Sequence, residues 1–572
     1  MSDKKYMNIL GNAVFGISLL TGFTACSDSI DEHYSPSAGV ATKTLWEQVV
    51  SQPDLTDLAK ILEKVHYYTT ENKTSGLTYK DVLQANNKLT VWAPVNGSFN
   101  VDSLLAEIDR DEYSVDKRFI RNHINTFSRS VAGTELDSIL MLNSKVNVLN
   151  NAENQFKGVD IVKRNIPATN GLLHKLAHAA QFQNNLYEYM QNTPQVDSLF
   201  KFFQTRDTTY IDESQSVQGG IIDGEITYAD TVWTTESKAF NYSYNYQGDT
   251  WDGIAANLKN EDSTFVMIMP TNQGWRTALD KTLPLYQYMS LSYANLDDEN
   301  KPQTVKPDAL QKKQAQMSIV NRLVFSPNRQ KYYTLEDFGN TDSLFTTRGE
   351  VIDSPYCNNI FKGIQPIPVS NGYVYLADDY RYPLTQDIEV EGENSFYWNK
   401  KMISASTTWA AASITKANRN PKISGSVSGN AYGYSAGATG TRQAANFVFK
   451  LPNVLSATYD IWAIIVPENI ADTLKQNVLP LKFKATLNYY NGKSTTLSKE
   501  GPTKDFIADT AKVDTILLFE NFKFPVAYKG VSGAYPLLTL EVSSRWSEWQ
   551  GYGNKYANRI YVDKIILKGK DE

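Results

Sequence analysis

Leu89-Thr90-Val91-Trp92-Ala93-Pro94-Val95-Asn96-Gly97-Ser98-Phe99 is a short β run halted by a Pro/Asn/Gly turn, with an aromatic ring just beyond the turn. Upstream, Leu55, Leu58, Ile61, Leu62 and Val65 recur at helical intervals after Asp54, which the pattern predicts as an N-cap. Downstream, Phe119, Ile120, His123 and Ile124 mark a second buried face. Asn170-Gly171-Leu172-Leu173-His174-Lys175-Leu176 then reads as a turn entering another strand.

The same order returns further along. Phe265-Val266-Met267-Ile268-Met269-Pro270-Thr271-Asn272-Gln273-Gly274-Trp275 repeats the strand, the Pro-x-Asn turn and the aromatic plug, and Asn371-Gly372-Tyr373-Val374-Tyr375-Leu376 repeats the Asn-Gly strand. The repeat is too long for a solenoid, so it reads as a tandem domain. The second copy carries extra length, which falls around 284–310. A Tyr-, Thr-, Gly- and Asp-rich stretch at about 212–251 reads as an inserted β-hairpin excursion of that copy, either a cover over one end of it or a binding arm.

Both copies resemble fasciclin-type domains, whose first signature is a Thr-Val-Phe-Ala-Pro-Thr-Asn-like strand and turn and whose second is Asn-Gly-x-x-His or a variant. Pro94, Asn96, Phe99, Asn170, Gly171 and His174 carry the match in copy one, and Pro270, Asn272, Trp275, Asn371 and Gly372 in copy two. The family's central helix histidine corresponds to His123, whereas copy two offers Ile319-Val320-Asn321-Arg322-Leu323 without a histidine. The resemblance implies a wedge of strands with helices on its face, adhesion or matrix and glycan contact, and no common catalysis. His123 and His174 are accordingly expected to be satisfied structural histidines.

Beyond about Pro383 the helical period fades into alternating runs, among them Asn446–Lys450, Ala457–Val466, Leu481–Leu487, Leu537–Val542 and Arg559–Leu567, which predict an antiparallel β-sandwich. The last run resembles the final strand of jelly-roll carbohydrate-binding modules. Two stretches break the alternation. Residues 424–434 are rich in Gly and Ser and read as a mobile loop, while Arg545-Trp546-Ser547-Glu548-Trp549-Gln550-Gly551-Tyr552 concentrates rings beside polar groups. Trp546, Trp549 and Tyr552 are the candidate sugar platform, with Arg545, Glu548 and Gln550 as polar contacts; the competing reading is an inward-facing plug that caps the sandwich.

At the amino terminus Lys4 and Lys5 precede an apolar stretch from Ile9 to Phe23, too short and too polar for a spanning helix. It ends in Leu20-Thr21-Gly22-Phe23-Thr24-Ala25-Cys26, which resembles a bacterial lipobox and implies acylation at Cys26. The acidic run Ser27–Glu32 resembles an outer-surface export tag; the alternative is a plain solvated linker. The expected organisation is a signal peptide at 1–25, an acidic linker at 26–40, fasciclin-like domains at 41–182 and 183–383, and the sandwich at 384–572. The fold class is α+β.

Composition narrows the function. The chain has 572 residues, 41% hydrophobic, 21% charged, with net charge −6, which excludes bulk disorder and supplies no basic field for nucleic acid. All five histidines, His33, His66, His123, His174 and His178, precede residue 179, so His-dependent chemistry is excluded from the remainder. Cys26 and Cys357 suggest neither a disulfide framework nor a thiolate metal site, and nothing calls for a cofactor or a metal. Asp460, Glu541, Glu548 and Asp563 are available acids, but no spacing singles out a catalytic pair. The sequence therefore predicts a non-catalytic, lipid-anchored outer-membrane protein facing the exterior, binding a polysaccharide or glycoconjugate. The alternative is an accessory subunit whose aromatic surfaces meet outer-membrane importer proteins.

Overall fold

A computed structural model describes residues 41–571 except 71–72, 215, 223–224, 241–252, 298–300, 328–340, 393–406, 429–430, 438–441 and 550–553. The expected signal peptide, Cys26 and the expected acidic linker lie outside the described residues, as do Gln550 and Tyr552. The chain divides into two compact units: residues up to 183 with Ile211–Trp233, and Asn184–Tyr210 with Thr234 onward. The predicted insertion is a pair of two-stranded sheets, Asp207–Ile211 with Trp233–Ser237 and Val217–Ile222 with Glu225–Asp230. The inner pair falls in the first unit, although the sequence pattern assigns it to the second copy.

The two fasciclin-like copies are built on one plan. Strand Leu89–Pro94 runs parallel to Gly171–Leu176, pairing Leu89 with Gly171 and Pro94 with Leu176. Strand Phe265–Pro270 runs parallel to Gly372–Ala377 in the matching register, Phe265 opposite Gly372 and Pro270 opposite Ala377. All six residues of each signature strand are buried, as expected of a strand covered on both faces. A Cβ on Gly171 would lie 1.9 Å from the Leu89 carbonyl oxygen, and one on Gly372 would lie 1.8 Å from that of Phe265. With φ at +154° and +141°, only glycine admits this close strand contact.

The signature asparagines are hydrogen-bond hubs. Asn96 Oδ1 accepts the Asp57 N–H at 2.9 Å, and its amide donates to Pro53 O and to Thr56 Oγ1. Asn272 Oδ1 accepts the Ser198 N–H at 2.8 Å and its amide donates to Pro194 O. Helices Thr56–Lys64 and Asp197–Gln204 thus have early amides capped from the end of each signature strand. This corrects Asp54 as N-cap: its carboxylate instead pairs with Lys175 at 2.8 Å. Asn170 accepts the Leu45 N–H and donates to Leu83 O and Ala85 O; Asn371 accepts the Leu186 N–H and donates to Leu258 O and Asn260 O.

Both signature histidines of copy one are buried and neutral. Ala180 N–H donates to His123 Nε2 at 2.8 Å, which leaves Nδ1–H to donate to Phe119 O at 2.7 Å. Asn165 N–H donates to His174 Nδ1, and Nε2–H donates to Arg129 O at 2.8 Å. Burial pushes both imidazoles down to about 4. Trp92 stacks between His174 and Phe156, centroids 4.5 and 4.2 Å away, and its indole N–H reaches Asn125. In copy two the backbone bond from Ile268 N–H to Leu323 O occupies the place of that from Trp92 to His123 O, so a buried leucine replaces the histidine.

The carboxy-terminal region is an antiparallel sandwich. One sheet is six-stranded, ordered Thr407–Ser413, Ala431–Gly437, Arg559–Gly569, Thr458–Ile465, Asp514–Lys523, with Ile388–Glu391 also on Arg559–Gly569. The other is five-stranded, with Leu537–Val542 and Leu481–Tyr489 at its centre. The Gly/Ser-rich segment is not simply a loop, because Ala431–Gly437 is a strand paired on both sides. The fold class is α+β, two wedge-and-helix copies followed by a sandwich.

The sandwich is not self-contained. Its core includes Tyr286, Met289, Tyr293 and Ala315 of copy two among Phe447, Phe483, Tyr490, Phe524 and Tyr528. The extra length of copy two is therefore part of the sandwich core, so the core of the sandwich expected at 384–572 draws on residues before 384.

Candidate functional site

The platform residues separate. Trp546 and Trp549 bracket a single helical turn between Leu537–Val542 and Arg559–Gly569. Trp546 is 39% exposed, and the Arg442 guanidinium carbon lies 4.9 Å from its ring centroid. Trp549 is half-buried against the sandwich core, with its indole N–H enclosed and unpartnered within the protein. The plug reading thus describes Trp549, and the open-ring reading describes Trp546. The Glu548 carboxylate accepts the Arg545 backbone N–H at 2.6 Å, while its backbone carbonyl accepts the Lys555 N–H, so this residue holds the turn together. The Arg545 side chain is exposed.

The sequence pattern did not single out Trp462. On strand Thr458–Ile465, Tyr459, Ile461, Ala463 and Ile465 point into the core, whereas Asp460, Trp462 and Ile464 lie on the open face. Register places Leu517 beside Trp462 on one neighbouring strand, Ile566 on the other, and Glu389 beside Ile566. The result is a row across four strands: aliphatic, ring, aliphatic, carboxylate. Lys568, paired opposite Asp460, carries its ammonium 5.9 Å from the Trp462 ring centroid. Lys564 and Glu389 form an ion pair next to the row. The Trp462 indole N–H is enclosed and has no protein partner, so the ring offers its face and not its donor. Burial raises Asp460, but the Asn521 N–H and the Lys570 ammonium outweigh it and hold the carboxyl below its usual range.

The available acids do not converge. Asp460 and Glu541 belong to different sheets, and Glu548 serves its own turn. Asp563 is buried, with Oδ2 accepting the Ser428 N–H and Oγ–H at 2.9 and 3.0 Å; burial raises its pKa against those bonds. Among the described residues, no group of three or more His, Cys, Asp or Glu side chains is arranged to hold a metal ion, and no helix is long and apolar enough to cross a membrane.

No family model matches the chain, and no curated protein matches it. Among solved structures, a FAS1 domain pair from the insect cell adhesion molecule fasciclin I is similar at 13% identity, over 60% of this chain and 96% of that one, with a TM-score of 0.17. A CBM22-2 xylan-binding domain from Paenibacillus barcinonensis is similar at 11% identity, over 32% of this chain and 98% of that one, with a TM-score of 0.19. A CBM35 domain from the same organism gives 13%, 32%, 98% and 0.14. Scores this low carry no functional argument.

Proposed function

We propose that the chain is a non-catalytic, surface-exposed binding protein for a polysaccharide or glycoconjugate, anchored through acylated Cys26. The observation that carries the binding reading is the open row around Trp462. A ring flanked by aliphatic side chains suits the C–H face of a pyranose, and Asp460, Glu389 and Lys568 around it suit sugar hydroxyls. Trp546, with Arg442 against one side, supplies a second exposed ring.

Affinity electrophoresis of the full chain against a polysaccharide panel tests the proposal. Retention should weaken about tenfold or more in Trp462→Ala, since losing one stacked ring costs about 1–2 kcal/mol. A wild-type chain retained by no polysaccharide ends the reading. The anchor is tested by metabolic labelling with a fatty-acid analogue and protease shaving of intact cells. Absence of label, or a labelled chain fully protected from protease, counts against the respective half.

A further inference from the structure

Residues 280–287 of copy two, the sandwich segments 456–458 and 523–525, and Lys570 enclose a cleft of about 370 Å³. Pro284 and Leu285 in its wall belong to the extra length that copy one lacks. Lys281, Lys523 and Lys570 line it with one acid, Asp280, and Lys570 is paired with Asp460 beside it, so the positive side of the lining is carried chiefly by Lys281 and Lys523, although the whole chain is net negative. Pro284, Leu285, Leu384 and Pro525 give it an apolar wall that remains solvent-accessible.

The cleft is pre-formed. Ser456 Oγ–H donates to Pro284 O at 2.9 Å and accepts the Gln287 N–H at 2.9 Å, while Ser456 N–H donates to Leu285 O. Phe524 N–H donates to Ala457 O, and Lys570 N–H to Thr458 O, tying the remaining walls to one strand end. A ligand entering such a cleft meets walls that are already ordered, which lowers the entropic cost of binding. The ammonium groups are positioned as well. Lys281 Nζ donates to Tyr380 O at 3.3 Å, and Lys570 Nζ lies 2.9 Å from Asp460 and also reaches Asn521. An ammonium has three donors, so the single bond of Lys281 leaves N–H groups for an incoming anion.

We infer that this cleft binds an anionic sugar residue, its carboxylate or sulfate on the lysines and its ring against the proline and leucine wall. The inference rests on the glycan-binding reading and specifies the chemical class of the glycan. Several charges of one sign lining a concave surface focus the local potential and favour an oppositely charged ligand. The volume lies within the range of small-ligand sites and fits one or two sugar units.

The test compares polymers that share a backbone and differ in charge. The full chain is run by affinity electrophoresis against sodium polygalacturonate and its methyl ester, and against dextran sulfate and dextran. Stronger retention by a charged polymer than by its neutral parent is expected, and the pair that discriminates tells carboxylate from sulfate. Lys281→Gln with Lys523→Gln should weaken that retention about tenfold, the scale of a lost charge-assisted hydrogen bond. Lys281→Arg with Lys523→Arg should retain most of it, and Lys416→Gln, at an exposed lysine outside the cleft lining, should change nothing. Melting of each variant is measured alongside. Equal retention by charged and neutral polymers, or wild-type retention in the Gln double variant, overturns the inference. If retention is by neutral polymers alone and is lost in Trp462→Ala, glycan binding stands and the anion-binding cleft falls. If no polymer retains the chain, both fall.

Discussion

Tyr293 lies edge-on to Tyr490, ring centroids 5.2 Å apart at 77°, although one residue belongs to the second wedge and the other to the sandwich. The neighbouring Ala294 N–H donates to the Tyr490 hydroxyl at 2.8 Å, and the Tyr490 N–H donates to the Tyr528 hydroxyl. Further on, Leu296 N–H donates to Gly533 O, and Asp297 pairs with Lys450 and accepts the Tyr535 hydroxyl. A fragment cut at 384 therefore loses part of its own core.

A fragment spanning 184–572 should unfold in one cooperative transition. The fragment 384–572 should be markedly less stable, with Tyr490 and Tyr528 uncovered, and should bind a hydrophobic dye. Within the longer fragment, Tyr293→Ala should cost about 3–5 kcal/mol. Urea unfolding followed by fluorescence measures all three, and equal midpoints for the two fragments would contradict the shared core.

The equivalent roles of Asn96 and Asn272 give a paired expectation. Asn96→Ala strands the Asp57 amide, and Asn272→Ala strands that of Ser198, each at a cost of about 1–3 kcal/mol. Differential scanning calorimetry of the full chain should show the first variant lowering the transition of the first unit and the second lowering the other. A shift of both transitions by either variant would refute the separation.

Acid should destabilise the first unit through its histidines. In the folded chain His123 and His174 titrate near 4, against about 6.5 when unfolded. Between those values the unfolded chain binds more protons, so stability is full above pH 6.5 and declines as pH falls toward 4, by about 3 kcal/mol per histidine at most. In His123→Leu, which copies the residue at 323, the slope of urea midpoint against pH over this window should shrink. The variant should also lose about 1–3 kcal/mol at pH 7, because the Ala180 N–H and Phe119 O lose their partner.

Three tryptophans of the sandwich, Trp462, Trp546 and Trp549, should behave differently. Trp549→Ala should lower the melting temperature by removing a ring from the core, whereas Trp546→Ala should leave it nearly unchanged. Trp462→Ala should keep the fold and lose glycan retention. Calorimetric melting combined with affinity electrophoresis separates these outcomes; a strongly destabilised Trp546→Ala would move that ring from surface to core.

What could be read from the sequence was its punctuation. Pro94, Asn96, Asn170 and Gly171, with their counterparts Pro270, Asn272, Asn371 and Gly372, sit where the backbone needs a turn, a cap or a missing Cβ. Such requirements are local and leave a local mark. Trp462 lies in the run Ile461-Trp462-Ala463-Ile464-Ile465, apolar on both alternations, so only the sheet register decides which side is open. The packing of Tyr293 on Tyr490 joins residues far apart in the chain and follows no period. Trp546 and Trp549 share one composition-rich turn, and the direction of each ring depends on what its neighbours leave room for.

The asparagine hubs also order events in time. Asn170 bonds the backbone of Leu45, 125 residues earlier, and Asn371 that of Leu186, 185 residues earlier. Each parallel strand pair likewise waits for its Asn-Gly strand. A nascent chain emerging amino terminus first therefore cannot complete either wedge until that late strand is available, and long loops must close before native contacts compensate the lost chain entropy. Folding should proceed as two delayed closures, with a partly folded intermediate before each.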